Sequence, residues 1–165
     1  MAPIKTATIG SISHGTLRNV DLLDNLSSEL RWQVTRNDIQ NGTFYDLPEN
    51  FAERDRLHNL CDEAQDISGR IEEGIQEDDE AASELVNTLC DELNRFAPAY
   101  CYFGAHAGDG SDFGFWPDMD SINELPKYND LADVPPDIDE DFQVVSDHGN
   151  ASVYAADGRA LLDIV

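Results

Sequence analysis

Apolar residues recur at steps of three and four along the first hundred positions, then give way to short alternating runs. Val20, Leu23, Leu26, Leu30 and Val34 form one stripe, which predicts a helix after Thr16, whose hydroxyl can cap the first amides. The segment from Asn37 to Asn50 holds turn signals, Asn41-Gly42 and Pro48, with room for a short strand around Thr43–Tyr45. Leu57, Leu60, Cys61, Ala64 and Ile67 predict a second helix from about Phe51. Gly69 and Gly74 each weaken its continuation by roughly 1 kcal/mol relative to Ala. Ile71 and Ile75 keep the period, so a bent helix reaching Gln76 is expected. A third helix is expected from Asp78 or Asp79, with Ala82, Leu85, Val86, Leu89, Leu93 and Phe96 as its stripe and Pro98 marking its end.

Beyond Pro98 the pattern changes. Tyr100–Phe103 and Phe113–Trp116 read as strands around a Gly-rich turn from His106 to Asp112, and Met119–Leu125 as one helical turn. Residues 127–141 hold Pro135-Pro136 and a run of acids, which predicts an extended loop. Phe142–Ser146, Ser152–Ala155 and Ala160–Ile164 predict three strands, separated by Asp147-His148-Gly149-Asn150 and by Asp157-Gly158. The expected class is α+β, with about three helices in 16–97 packed on one face of a C-terminal antiparallel β-meander in 98–165. At 165 residues, one domain spanning 1–165 is expected, needing neither disulfide nor metal to fold.

Charge changes the picture more than any motif. There are 34 Asp+Glu against 10 Lys+Arg, a formal net charge of −24. Residues 1–50 carry 6 acids and 4 bases, 51–95 carry 14 and 4, and 96–165 carry 14 and 2. This sign excludes a direct grip on a nucleic-acid backbone and argues against docking on an anionic membrane. No apolar run approaches the ~20 residues of a membrane span. Met1 to Gly15 has one lysine and no h-region, so no signal peptide is expected. Cys61, Cys90 and Cys101 are odd in number and form no C-x-x-C. They are expected as buried thiols in a reducing cytoplasm.

The acids avoid the apolar stripes. Asp62, Glu63, Asp66, Glu72, Glu73, Glu77, Asp78, Asp79, Glu80 and Glu84 follow the second and third helices. Asp133, Asp137, Asp139, Glu140 and Asp141 form a second group. A duplex carries one negative charge per ~1.7 Å of axis. A helix with a carboxylate every two or three residues, at about 1.5 Å rise, comes within a factor of about two to three of that density. These acids are therefore candidate partner-binding residues that imitate a phosphate backbone. The alternative is an acidic surface serving only solubility, as in halophilic proteins.

Other chemistry is less favoured. Asp137-x-Asp139-x-Asp141 starts like a calcium loop, but Phe142 and His148 stand where Gly and a bidentate Glu belong. His106, Asp109 and Asp112 could converge with Asp147 and His148, and with His14, on a metal or acid–base site. The simpler account gives Gly and Asp to the turns, with each His capping backbone or packing on an aromatic ring. No nucleophile elbow, P-loop or dinucleotide fingerprint occurs, so no catalytic residue and no cofactor is expected. Trp32 and Trp116 are expected at the core or its edge.

Three segments carry a resemblance. They are Gly10-Ser-Ile-Ser-His-Gly-Thr-Leu-Arg18, Tyr102-Phe-Gly-Ala-His-Ala-Gly-Asp-Gly-Ser-Asp-Phe-Gly-Phe-Trp-Pro-Asp118 and Val144-Val-Ser-Asp-His-Gly-Asn-Ala-Ser-Val-Tyr154. Together they resemble a family of small acidic proteins carried by phages, plasmids and integrated elements. The resemblance covers most of the chain and brings no activity or catalytic residue with it. It implies a setting, in which accessory proteins act against host restriction or CRISPR systems. The resulting expectation is a non-enzymatic nucleic-acid mimic in the host cytoplasm, bound to a basic nucleic-acid-binding host protein. A homodimer through an exposed sheet edge is a further expectation. The runner-up is a metal-dependent enzyme or ligand-binding protein built on His106 and His148.

Overall fold

The computed structural model describes residues 6–41, 48–75 and 79–164. The chain is α+β, in the order β1 (Gly10–Ser13), α1 (Asn19–Asn41), α2 (Pro48–Glu72), α3 (Asp79–Asn94), β2 (Cys101–His106), β3 (Asp109–Pro117), α4 (Met119–Asn123), β4 (Lys127–Tyr128), β5 (Phe142–Val145), β6 (Ala151–Tyr154) and β7 (Ala160–Ile164). It divides into two compact units. Unit 1 is Met1–Ala97 with Phe103–Trp116, and unit 2 is Pro98–Tyr102 with Pro117–Val165. The strands form two sheets, ordered β1-β3-β2 and β4-β5-β6-β7.

Unit 1 is organised by α1. Its Leu22, Leu23, Leu26, Leu30 and Val34 are buried together with Leu57, Cys61 and Ala64 of α2 and Ala82, Leu85, Val86, Leu89 and Leu93 of α3. Phe103 and Phe115 of the sheet complete this core, their rings 4.8 Å apart and edge-on. Buried polar groups are tied at the seams. Ser68 Oγ donates to the Val20 carbonyl at 3.0 Å, and Asn25 Nδ2 donates to the buried Ser13 Oγ at 3.0 Å. Asn94 Oδ1 accepts the Phe103 amide at 2.8 Å, linking the end of α3 to β2.

Several boundaries differ from expectation. Thr16 does not cap α1. Its hydroxyl accepts the Arg18 amide and donates to Asp21, and the helix starts three residues later because the Leu22 amide first reaches back to the Arg18 carbonyl. Pro48 opens α2 instead of marking only a turn, since the first helical position needs no amide hydrogen. α2 does not bend on to Gln76. It ends at Glu72, where the Gly74 and Ile75 amides return to the Ile71 and Arg70 carbonyls and Gly74 takes φ +79°. That is a Schellman cap, which glycine alone enters without strain. The strand expected around Thr43–Tyr45 lies outside the described residues.

β1 was not anticipated. Gly10, Ser11 and Ser13 pair antiparallel with Phe115, Gly114 and Phe113, with an irregularity at Ile12. The approach is close enough that a Cβ on Gly114 would run into the Gly10 carbonyl. The turn between β2 and β3 is reduced to Ala107-Gly108.

Unit 2 is built on the β5-β6-β7 meander, as expected from its two Gly-bearing turns. The 127–141 segment is not loop throughout. Lys127 and Tyr128 pair parallel to Gln143 and Val144, and Leu131–Asp133 form a 3-10 turn. Ile122, Phe142, Val153 and Leu162 are buried. Gln143 is buried with them and donates to the carbonyls of Ile122 and Leu125, at 2.8 and 3.2 Å.

Truncating a fully buried α1 leucine removes transfer energy and leaves a cavity. Leu30→Ala is expected to lower the unfolding free energy of unit 1 by about 2–5 kcal/mol in denaturant titration. Gly74→Ala is expected to cost about 1–2 kcal/mol, because only the backbone conformation changes its cost.

Candidate functional site

The acidic face of α2 and α3 is not uniform. Near the start of α2 and the end of α3, Arg56 and Arg95 each contact both Glu53 and Glu92, bridging the two helices. The hydrogen bond from Arg56, with a second from Arg95, outweighs partial burial and holds the Glu53 carboxyl down at about 2. Farther along, cations thin out. Asp62 meets Arg31 at 2.6 Å, and Asp66 meets Arg70 at 3.9 Å. Glu63, Glu72, Glu73 and Glu84 are exposed and make no ion pair among the described residues.

Four acids, Asp62, Glu63, Asp66 and Glu72, therefore lie along about 15 Å of α2 with Arg70 as the one base on that stretch. Glu63 and Glu84 stand on the two walls of a furrow of about 270 Å³ between α2 and α3. Ile67, Ala81, Leu85 and Thr88 line the rest of it. Glu80 is also exposed on α3. Asp79 is the first residue of α3, whereas Glu77 and Asp78 lie outside the described residues.

The second acidic group belongs to unit 2. Asp133 ends the 3-10 turn, and Asp137, Asp139 and Glu140 are exposed before β5. Asp141 differs from them. Half-buried, it accepts the Tyr100 hydroxyl at 2.7 Å and the Ala156 amide at 3.1 Å. Burial, reinforced by this carboxylate, pushes the Tyr100 phenol up to about 12. Tyr100 also has φ +60°, a conformation that a non-glycine residue keeps only when its surroundings impose it. Asp141 thus braces unit 2.

The His/Asp residues are engaged locally. His106 packs edge-on against Trp116, with centroids 4.7 Å apart, and its Nδ1 accepts the Gly108 amide at 3.1 Å. Asp109 accepts the amide and hydroxyl of Ser111, which lowers its carboxyl. Asp112 accepts the Ser11 hydroxyl. Asp147 and His148 are exposed in the β5–β6 turn and fall in unit 2, whereas His106, Asp109 and Asp112 fall in unit 1. Among the described residues no group of three or more His, Cys, Asp or Glu side chains is placed to hold a metal ion. Trp32, expected near the core, is 52% exposed beneath the Arg36 guanidinium, 4.6 Å from its ring centroid. Burial pushes all three cysteine thiols up to about 11.

One feature had no sequence signal. Val144, Ser146, Asn150, Ser152 and Tyr154, from the β5–β6 hairpin, join Asn129, Asp130 and Leu131 around a depression of about 320 Å³. The two stretches are separate in sequence, and only the fold brings them together.

No family model, curated protein or solved structure matches the chain. No described helix is long and apolar enough to cross a membrane.

The Glu53 carboxyl titrates about 2 in the fold against 4.5 ordinarily. Its contribution to stability is complete above pH ~4.5 and is lost as pH falls toward ~2. In thermal melts over that range, the difference between wild type and Glu53→Gln is expected to shrink steadily on acidification.

Proposed function

We propose that this is a non-enzymatic acidic binding protein of a phage or mobile element. Its carboxylates occupy the basic groove of a host DNA- or RNA-binding defence protein, of the anti-restriction or anti-CRISPR type. The mobile-element setting rests on the resemblance of the three sequence segments. The observation that carries the binding reading is the second half of α2 with facing α3, where Glu63, Glu72, Glu73 and Glu84 are exposed without an ion-pair partner among the described residues. A surface serving only solubility needs charge but no such concentration of it. The arginines bridge the opposite end of the two helices, leaving this end strongly negative.

The physics is that of steering. A field of one sign raises the encounter rate with a basic cleft and falls with ionic strength. Contacts that exclude water then set the lifetime. Ile67 and Leu85, lining the furrow between Glu63 and Glu84, supply apolar surface in the middle of the charged face.

The test is affinity capture from a bacterial lysate with a salt-gradient elution, repeated with duplex DNA as competitor. A single nucleic-acid-binding protein, held stoichiometrically and displaced by DNA, is the expected result. Changing Glu63, Glu72, Glu73 and Glu84 together to Gln is expected to weaken that capture at least tenfold without altering the melt. Unchanged capture by this variant would show that the α2–α3 face is not the mimic.

A further inference from the structure

We infer that the depression on the β5–β6 hairpin of unit 2 is a binding site for an arginine side chain presented by a protein partner. Val144, Ser146, Asn150, Ser152 and Tyr154 share one face of the hairpin, because the register sets Val144 opposite Ser152 and Phe142 opposite Tyr154. The opposite face is already committed to the core through Gln143, Ala151 and Val153. Asn129, Asp130 and Leu131, directly after β4, form a further part of the lining, and Leu131 is 51% exposed. Val144, Leu131 and Tyr154 give an apolar floor and side. The polar groups are two amides, the hydroxyls of Ser146, Ser152 and Tyr154, and the Asp130 carboxylate.

Charge selects the occupant. Among the described residues, no lysine, arginine or histidine lines the depression. The Ser152 hydroxyl donates to Asp163 on β7 at 2.7 Å, so a second carboxylate lies one strand beyond the lining. Unit 2 holds 12 acids and 2 bases, Lys127 and Arg159. A ligand with an aliphatic stem and a cationic, multiply donating head satisfies both parts of the lining. The stem covers Val144 and Leu131, and the head meets Asp130 and the amide oxygens. Guanidinium fits better than ammonium, because its planar fork donates in two directions and stacks on an aromatic ring such as Tyr154. The Tyr154 ring is held in place by stacking on Phe142, with centroids 5.5 Å apart and planes 15° apart. Asp130 is fixed in turn, since one of its oxygens accepts the Ala132 amide at 2.9 Å and the other is left to the ligand. Only the source of the arginine rests on the proposed basic partner; the site itself does not.

The test is a titration of the full chain with N-acetyl-arginine amide, followed by amide chemical shifts. N-acetyl-citrulline amide serves as the uncharged isostere and N-acetyl-lysine amide as the second cation. Shifts are expected to concentrate in residues 129–131 and 144–154, with arginine bound about tenfold more tightly than citrulline, and lysine between them. Asp130→Asn keeps the cap of the 3-10 turn, because Asn caps as well as Asp, and is expected to abolish the preference for arginine over citrulline. Leu131→Ala, at an exposed position, is expected to weaken all three ligands together. Shifts spread evenly over the exposed acids would overturn the site, as would equal binding of citrulline, which marks a pocket for neutral polar ligands. If the site binds arginine but lysate capture fails, the partner reading is lost and the site stands. If capture succeeds and the titration fails, the reverse holds.

Discussion

Unit 1 depends on the burial of the α1 leucine stripe. α1 packs against both α2 and α3, which touch each other far less. Leu23, Leu26 and Leu30 are inaccessible to solvent. Each such side chain contributes about 1.5–3 kcal/mol on leaving water, and the effect is not screened by salt. The opposing term is repulsion among the acids of α2 and α3. Like-charge neighbours on an exposed helix cost only a few tenths of a kcal/mol each. Burial wins by magnitude, so the helices can carry a dense acidic surface and still close on α1.

Arginine placement refines that balance. Arg56 and Arg95 join Glu53 and Glu92 where α2 and α3 would otherwise set carboxylate against carboxylate. Glu92 is 15% exposed and Glu53 30% exposed at the side chain, so unpaired charge there would be costly. Where the acids reach freely into water, no such pairing is required. The partly buried Glu53 and Glu92 each meet both Arg56 and Arg95, whereas the mostly exposed Asp62 meets Arg31 alone.

The helical stripes were legible because each is long, periodic and local: every residue named for α1 and α3 is buried, and α2 keeps Leu57, Cys61 and Ala64. The meander was legible for a related reason, since its two hairpin turns carry Gly with positive φ at positions 149 and 158. What escaped was non-local. β1 is four residues with one apolar side chain, and its partner strand lies about a hundred positions away, as the Ser11–Asp112 hydrogen bond does at a separation of 101. β4 is two residues whose strand character comes from β5 beside it. The end of α2 was misjudged because Ile75 continues the apolar period, yet the Gly74 cap takes precedence and leaves Ile75 43% exposed. The hairpin depression escaped because its two lining segments meet only through folding.

Composition counts every acid alike, whereas the structure separates them by task. Asp118 caps α4 through the amides of Asp120 and Ser121. Asp130 caps the 3-10 turn, and Asp141 ties Tyr100 to Ala156. These carboxylates serve the backbone, and their side chains are constrained by it. Glu63, Glu72, Glu73 and Glu84 serve no backbone group among the described residues, so packing gives no reason for acids there. A net charge of −24 sets a long-range field that any cation feels. Such a field attracts without discriminating, because its energy depends on charge and distance and hardly on shape. Discrimination requires carboxylates held at fixed separations beside apolar surface that only a matching partner can cover. Glu63 and Glu84 stand on helices locked to α1, with Ile67 and the edge of Leu85 between them, so the backbone of the furrow walls is fixed even though the carboxylates themselves reach into water. The same leucine stripe that closes the fold is therefore what turns a diffuse acidic surface into a surface with a defined geometry.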